Sequence, residues 1–360
     1  MRTLVIPPAK GTLEEAITRS AGVLPLVRRE RAIIVTACAI EDEKAIVLGR
    51  LQRAGRVLDW PAVIAEKPRI LRRPTTGTGF AIDGGALITL ALPSIDAIFS
   101  DATPRTVLNR NVRPLLRGFE AAGVPVSYFG REWLACRPVP GTTATTAVRG
   151  RAIAVLGLEV DPDGVCLVEA YVTQRGSLAL PRSLVTPLEA SCDRYRGREP
   201  LSLDELRVPQ LDLDRVVLET ADRTGHITFT LRTEVPADES RKVMLVDGPA
   251  SPLSDDATFL EPRTVPIGFL DVAVTDREAW VGGDLLGPTF ALGHYAAWSD
   301  QEPRGAGHVE RSETGRGGSR EARFAGGERE TEQLPMEGAL WDDVRRAYDL
   351  AQRHLALRSP

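Results

Sequence analysis

The sequence predicts an α/β protein with two parts: a larger domain over residues 1–185 and a smaller α+β accessory region over residues 186–299. Three observations support this prediction. Apolar, β-branched runs alternate with amphipathic helical segments in the first half of the chain. Short strand-like runs dominate the second region. The length of 360 residues is enough for one large or two ordinary domains, each with its own core.

The first half begins with a predicted helix over residues 11–24. Thr12 is a suitable N-cap, and Glu14 and Glu15 lie at the positive end of the helix dipole. A long amphipathic helix is predicted at 103–123, where Pro114 should kink it or divide it into two shorter helices. The other predicted elements are strands at 31–38, 44–52, 69–74, 85–93, 151–161 and 165–173, a short helix at 60–66, and a strand, turn and strand at 124–139.

The second half has a weaker pattern. Residues 300–335 are charged, rich in glycine and almost without aliphatic side chains, so we expect a disordered insert. Residues 336–360 contain one apolar stripe at helical spacing, which predicts a terminal helix that docks on the protein. Four apolar runs predict the strands of the accessory region: 215–221, 226–235, 241–248 and 264–276.

Composition excludes several classes of function. The formal net charge of −4 and the pI near 5.8 give no field that attracts nucleic acid or an anionic membrane. No apolar run of about 18 residues and no signal peptide is present, so we expect a cytoplasmic protein. The cysteines show no metal-ligand spacing and the histidines are scattered, which predicts reduced thiols and no metal site. The cysteines are Cys38, Cys136, Cys166 and Cys192.

The stretch "LRRPTTGTGFAIDGG" at residues 71–85 places two arginines before a run of small residues. Arginine binds carboxylate or phosphate through a planar fork of donors, and glycine lets a backbone approach a ligand closely. Together they predict a wall for a small anionic ligand. The alternative is a solvated strand end and turn.

The order of these motifs resembles the catalytic domain shared by lipoate-protein ligases, octanoyltransferases and biotin-protein ligases. The resemblance covers about residues 10–175, and the order of the elements carries it more than any single motif. The positions that match the family's motifs are Glu14 and Glu15 in "LEEAI", Gly49, Arg50 and Gln52 in "GRLQ", Arg72, Arg73, Thr75 and Gly77 in the arginine loop, and Gly130 and Arg131 in "GREWLA".

The resemblance implies a class II aminoacyl-synthetase-like fold, a mixed sheet with helices on one side. It implies acyl transfer (lipoyl, octanoyl or biotinyl) to a lysine of a carrier protein domain. Lipoate or octanoate would be the substrate, ATP and Mg²⁺ would serve a ligase, and no cofactor would be tightly bound. The ligand-binding residues implied are Arg50, Gln52, Arg72, Arg73, Thr75, Thr76, Gly77, Thr78 and Gly79.

The sequence departs from the family's pattern at three places. The glycine triplet reads Thr76-Gly77-Thr78, and Ile82 stands where the family has a histidine. The family's catalytic lysine, expected near Ala152, is missing. In the family this lysine stabilises charge that develops on the acyl carbonyl oxygen.

Two side chains are candidates for the missing chemistry. Arg151, or else Arg149, lies near the position of the lysine, and Cys136 is a candidate nucleophile because some octanoyltransferases use a cysteine. The alternative for Cys136 is a buried small apolar residue. The sequence therefore predicts a lipoate-ligase-like transferase, or alternatively a non-catalytic relative that binds a lipoyl-like acid or a carrier domain. A scaffold is the third possibility, expected if no apolar pocket borders Arg73.

Overall fold

The computed structural model describes residues 1–103, 106–130, 132–137, 149–161, 163–225, 243–248, 258–265, 268–274, 279–284 and 286. The predicted insert at 300–335, the predicted terminal helix at 336–360 and the predicted strand at 226–235 lie outside these residues.

Ten strands of the described chain form one large mixed sheet, and four form a small antiparallel sheet. The strands are β1 Thr3–Val5, β2 Ala9–Gly11, β3 Ile33–Leu48, β4 Arg69–Arg72, β5 Phe80–Leu92, β6 Val126–Tyr128, β7 Trp133–Cys136, β8 Ala152–Val160, β9 Cys166–Thr173, β10 Met244–Leu245, β11 Thr258–Phe259, β12 Arg263–Val265, β13 Gly268–Val274 and β14 Ala279–Gly283. The helices are α1 Leu13–Glu30, α2 Ala54–Val57, α3 Trp60–Glu66, α4 Val107–Asn111, α5 Arg113–Ala121, α6 Pro187–Ala190 and α7 Leu213–Asp222, with a 3₁₀ turn at Arg182–Leu184.

The large sheet has the strand order β10-β4-β3-β5-β9-β8-β7-β6, and β1 and β2 also pair with β3. β3 runs parallel to β4 and antiparallel to β5, so the sheet is mixed. The small sheet is centred on β13, which pairs with β11, β12 and β14.

Helices cover both faces of the large sheet. On one face Ile33 of β3 packs in a cluster with Phe119 of α5 and Val216 of α7. On the other face the neighbouring residue Ile34 packs with Val23 of α1, because successive strand side chains point to opposite faces. The mixed α/β fold class is confirmed, but the expectation of helices on one side of the sheet is wrong, because α1 covers the face opposite to α5 and α7.

α1 begins where the sequence predicts it to begin. The hydroxyl of Thr12 accepts a hydrogen bond from the Glu15 amide at 3.2 Å, and the Glu15 carboxylate accepts one from the Thr12 amide at 2.8 Å. This capping box satisfies two donors that a helix start otherwise leaves unpaired. The helix continues past the predicted end at residue 24 to Glu30, and Arg31 ends it in the left-handed conformation, with φ 46°.

The break predicted at Pro114 is confirmed, since α4 ends at Asn111 and α5 begins at Arg113 with Pro114 in its first turn. The predicted strand at 215–221 is wrong, because this run lies in helix α7. The Asp212 carboxylate caps the helix by accepting a hydrogen bond from the Arg215 amide at 3.0 Å.

Close packing against α5 also favours the helical state of this run. The buried residues of α7 are Val216, Val217, Thr220 and Ala221, which share one helical face. A Cβ on Gly118 of α5 would lie 2.6 Å from the Val216 carbonyl oxygen, so this glycine lets the two helices approach.

We expect Thr12→Ala to lower the free energy of unfolding by about 1 kcal/mol, because it removes the hydroxyl that caps α1. Urea unfolding followed by circular dichroism measures this change. Thr12→Ser keeps the hydroxyl and should remain close to the wild type. Equal losses in the two variants would contradict a capping role.

Candidate functional site

Arg72 fastens the turn Gly49–Gln52, which we call the GRLQ turn, to the end of β4. Its Nη1 donates to the carbonyl oxygens of Gly49 at 2.9 Å, Arg50 at 3.2 Å and Gln52 at 2.6 Å. Burial lowers the pKa of Arg72 to about 10. Its donors are therefore committed to the protein backbone, and the side chain does not stand at a solvated strand end.

Arg73 is fully buried, with no exposed surface. Its Nη2 donates to the carbonyl oxygens of Thr78 at 3.1 Å and Leu156 at 3.2 Å. The guanidinium carbon lies 5.3 Å from the ring centres of both Phe80 and Tyr171. Among the described residues, Nε and Nη1 have no acceptor of ordinary hydrogen-bond geometry, although the Tyr171 hydroxyl lies close enough to interact with the guanidinium. Burial lowers the pKa of Arg73, against the opposing effects of Tyr171 and a neighbouring carboxylate.

That carboxylate is Glu169 of β9, which is buried. It accepts hydrogen bonds from the hydroxyls of Ser20 at 2.6 Å, Thr75 at 2.5 Å and Tyr171 at 2.8 Å. A Cβ on Gly157 of β8 would lie 3.0 Å from the Glu169 carboxylate and 3.1 Å from Arg73 Nη1. Because Gly157 has no side chain, the Arg73 guanidinium and the Glu169 carboxylate can pack against β8.

Residues 75–79, the glycine loop, pack directly against the GRLQ turn and β8. Thr76 donates to the Leu158 carbonyl oxygen through its amide at 2.9 Å and through its hydroxyl at 2.6 Å. Gly77 has φ 119°, which favours glycine, and a Cβ on Gly49 would overlap the Gly77 carbonyl oxygen. The glycines thus serve the contact between two backbone segments.

Arg50 and Gln52 complete the predicted ligand-binding set. The Arg50 amide donates to the Thr75 carbonyl oxygen at 2.9 Å, and its half-exposed side chain lies 3.6 Å from Glu159. The Gln52 side chain accepts from the Gly49 amide at 2.8 Å and lies next to Gly79. The structure therefore brings together all the residues of the predicted ligand-binding set.

A buried ion cluster lies beside this loop and turn. Arg56 of α2 donates to Glu189 at 2.7 Å, Asp271 at 3.0 Å and Asp284 at 3.0 Å. Arg194 donates to Glu189 at 2.9 Å and to Asp284 at 2.7 Å. All five side chains are at most 7% exposed. Sequence reasoning missed this cluster, because its members come from four separated segments and form no local motif.

A cleft of about 420 Å³ opens next to the glycine loop. Gly79 lines it, together with residues from 177–185 and 189–199. The lining is mixed: Leu180, Pro181 and Val185 are apolar, while three arginines and three carboxylates also contribute. This size is typical of small-molecule sites. Arg73, which contacts Gly77 and Thr78 of the same loop, is not part of the lining.

The two candidate catalytic residues lie elsewhere. Arg151 donates to the carbonyl oxygens of Glu199 at 2.6 Å and Pro200 at 3.1 Å, so it anchors the segment that follows the cleft. Cys136 is buried in the largest apolar cluster, and burial raises the pKa of its thiol. These surroundings suit the alternative of a buried small residue. Within the described chain, no hydrogen bond joins either residue to Arg73.

Glu132, which sequence reasoning did not select, is buried next to β7 with both carboxylate oxygens unpartnered. Burial raises its pKa to about 7, although the charge of Arg194 opposes this shift. The sequence alone could not identify Glu132, because its surroundings include Arg194 and Tyr195, which are more than 60 residues away in the chain.

The described lysines lie at the surface. Lys10 and Lys44 form exposed ion pairs with Glu41 at 3.6 Å and Asp83 at 3.5 Å, and Lys67 ends α3. Among the residues that the structure describes, no cluster of three or more histidine, cysteine or acidic side chains is arranged to hold a metal ion. The described helices also include none that is long and apolar enough to span a membrane.

We expect the stability of Glu132→Gln, relative to the wild type, to rise with pH. The folded-state pKa of about 7 lies above the usual 4.5, so ionising Glu132 in the folded protein costs free energy. This cost is absent below about pH 4.5, grows up to about pH 7 and then levels at a few kcal/mol.

Urea unfolding at a series of pH values tests this expectation. The exposed Glu66 of α3 gives the matched control, Glu66→Gln, for which the difference from the wild type should stay constant across the same range. A constant difference for Glu132→Gln as well would contradict the buried, unpaired state of Glu132.

Comparison with known proteins places the fold. No protein-family model and no curated protein sequence matches the chain. The structure of P. falciparum LipL1 in complex with lipoate aligns with a TM-score of 0.52 and 11% identity, covering 79% of this chain and 85% of LipL1. A bipartite lipoate protein ligase of Thermoplasma acidophilum aligns with a TM-score of 0.46 and 15% identity, covering 66% and 89%. The structure of lipoate-protein ligase A bound with ATP aligns with a TM-score of 0.44 and 14% identity, covering 66% of this chain and 91% of the ligase.

The likeness to LipL1 extends over most of both chains and concerns the fold. It confirms the lipoate-ligase-like catalytic-domain fold that the sequence resemblance implied, with its large mixed sheet and its packed helices.

Proposed function

We propose that this protein binds a short acyl carboxylate of the lipoate or octanoate class and takes part in its transfer to a lysine of a carrier protein domain. The observation that carries the proposal is Arg73, a buried guanidinium beside the glycine loop whose Nε and Nη1 donors have no acceptor of ordinary hydrogen-bond geometry among the described residues. Buried donors without partners are rare and cost about 1–3 kcal/mol each. An anionic ligand group, such as a carboxylate or phosphate, would satisfy both donors.

The surroundings of Arg73 support a ligand of this kind. Phe80 and Tyr171, which are themselves fully buried, flank the Arg73 guanidinium, so the surroundings of this cation are aromatic. The cleft at Gly79 has the volume of a small-molecule site. LipL1, which shares the fold, was solved in complex with lipoate. Biotin remains a third acid to compare in the same assay.

ATP and Mg²⁺ belong to the proposal only through the family resemblance. The cleft lining carries Arg182, Arg194 and Arg198 against three carboxylates, so its charges balance. A triphosphate gains no net attraction from such a lining. We therefore assign no residue to ATP or Mg²⁺ and derive no step through them.

A non-catalytic binding protein is the second candidate function. The observation that favours it is the position of the lysines: the described ones are exposed, and Arg151, near the family's lysine position, binds the segment 199–205. Such a relative would keep the ligand pocket and lack the group that stabilises the reacting carbonyl. The cytoplasmic location and the carrier partner stay predictions for both candidates.

Calorimetry with lipoate, octanoate and biotin, each with and without ATP, tests the proposed function. Binding together with pyrophosphate release, or with acylation of a lipoyl domain detected by mass spectrometry, supports the transferase. Binding without either product supports the non-catalytic relative. The absence of binding to all three acids would contradict both candidates and favour a scaffold.

We expect Arg73→Lys to weaken binding of the preferred acid at least tenfold, because an ammonium cannot reproduce the planar donors of a guanidinium. The same calorimetric titration measures the change. Arg117→Lys, an exchange on the exposed surface of α5, is the matched control and should bind as the wild type does. Unchanged affinity in a folded Arg73→Lys protein would remove Arg73 from the ligand site.

A further inference from the structure

Asp284, just after β14, has every acceptor position of its carboxylate engaged. Its Oδ1 accepts from Arg56 at 3.0 Å and from the Gln52 amide group, and its Oδ2 accepts from Arg194 at 2.7 Å and the Phe269 amide at 2.7 Å. It is fully buried. Burial alone would raise the pKa of Asp284, but the guanidinium groups of Arg194 and Arg56 outweigh it, so the pKa is lowered. The carboxylate is held as an anion.

Three of these four donors belong to the large-sheet part of the chain and are oriented without Asp284. Glu189 of α6 holds both arginines, one on each carboxylate oxygen. The Gly49 amide donates to the Gln52 side-chain oxygen at 2.8 Å, which turns the Gln52 NH₂ group outward. We call Gln52, Arg56 and Arg194 the carboxylate cradle. It is a preorganised set of anion donors, two of them charged.

Charge counting shows what the cradle can accept. Arg56 and Arg194 carry two positive charges, and Glu189, Asp271 and Asp284 carry three negative charges. Asp271 and Asp284 both belong to the small-sheet part. When Asp284 alone leaves the cradle, Glu189 and Asp271 still balance the two arginines, so one singly charged anion restores the net charge of −1 that the cluster has with Asp284 in place.

The cradle adjoins the cleft. Gly79 lines the cleft and lies against the Gln52 side-chain oxygen, while Glu189 and Arg194 contribute to the lining themselves. Leu286, two residues beyond Asp284, lies against Gly77 of the glycine loop. The end of the small sheet therefore covers the place where the cleft meets the cradle.

We propose that the carboxylate cradle is a second anion-binding position, distinct from Arg73, which takes the carboxylate or phosphate of a ligand in the cleft and which Asp284 occupies in its place. Ligand binding at the cradle and docking of Asp284 then exclude each other. The proposal concerns an anion in the cradle and does not require acyl transfer.

Chemical rescue tests the cradle. Asp284→Ala empties it and should lower the melting temperature, and acetate should restore part of the loss relative to chloride at equal ionic strength. Asp284→Asn fills the same space without the charge, so it should also lose stability but gain nothing from acetate. Asp83→Ala removes a partly exposed carboxylate of β5 that pairs with Arg175 and is the control for general salt effects. Equal acetate responses in all variants would overturn the proposal.

A second experiment tests whether anion binding at the cradle and docking of Asp284 exclude each other. Acetate, inorganic phosphate and octanoate should each be titrated into the wild type and Asp284→Ala, and at least one should bind the variant ten times more tightly or better. If only inorganic phosphate binds the variant more tightly than the wild type, the cradle is a phosphate position. If acetate binds the variant more tightly and octanoate does not, the result supports the cradle and contradicts the acyl proposal. Equal or weaker binding of all three to the variant overturns the cradle.

Hydrogen exchange in the wild type covers the case in which Asp284→Ala does not fold. The Gly283 amide donates to the Leu51 carbonyl oxygen at 2.8 Å, and the Asp284 amide donates to the Phe269 carbonyl oxygen at 2.9 Å. An anion that displaces Asp284 should accelerate exchange of the Gly283 amide. Unchanged or slower exchange at saturating anion would overturn the proposal.

Discussion

The contact between the GRLQ turn and the glycine loop determines the geometry of the site. Gly49 and Gly77 approach so closely that a side chain on Gly49 would overlap the Gly77 carbonyl oxygen. Arg72 holds the turn by three of its carbonyl oxygens. The next residue, Arg73, follows the end of β4 and is fully buried beside Phe80 and Tyr171. The two arginines of one motif therefore do different work: one fixes the backbone, and the other has two donors without an acceptor of ordinary hydrogen-bond geometry among the described residues.

The threonines of the loop have a role that the motif alone does not reveal. In the sequence, Thr76 and Thr78 stand where the related family has glycines, and Thr75 matches the family's motif. In the structure the Thr75 hydroxyl donates to Glu169 and the Thr76 hydroxyl to the Leu158 carbonyl oxygen. Their hydroxyls are therefore engaged with the protein, whereas the Thr78 hydroxyl has no partner. The loop is fixed to β8 and β9 by side chains, and Gly77 alone among residues 75–79 has a positive φ.

The sequence predicted those parts of the site that lie in short motifs directly after neighbouring strands of the sheet. The GRLQ turn and the arginine loop belong to this class, because β3 and β4 are parallel neighbours and bring the two together. The ion cluster was beyond prediction, since Arg56 meets Asp284 across 228 residues. Helix α7 was mistaken for a strand because its valines are β-branched, whereas its N-cap Asp212 and its packing on α5 decide the outcome.

The charges around the cleft are interdependent, and Glu132 shows how. Asp284 keeps its negative charge because two guanidinium groups surround it. Glu132 lies near the same Arg194, but no other described residue donates a hydrogen bond to its carboxylate, so burial raises its pKa and the charge of Asp284 adds to the shift. With a pKa of about 7, Glu132 retains its proton over much of the range in which Asp284 is ionised. A ligand that replaces Asp284 and carries the same charge would leave the effect on Glu132 unchanged. An empty cradle would remove one cause of the raised pKa of Glu132. The pKa of Glu132 therefore depends mainly on its burial and in part on the anion in the carboxylate cradle.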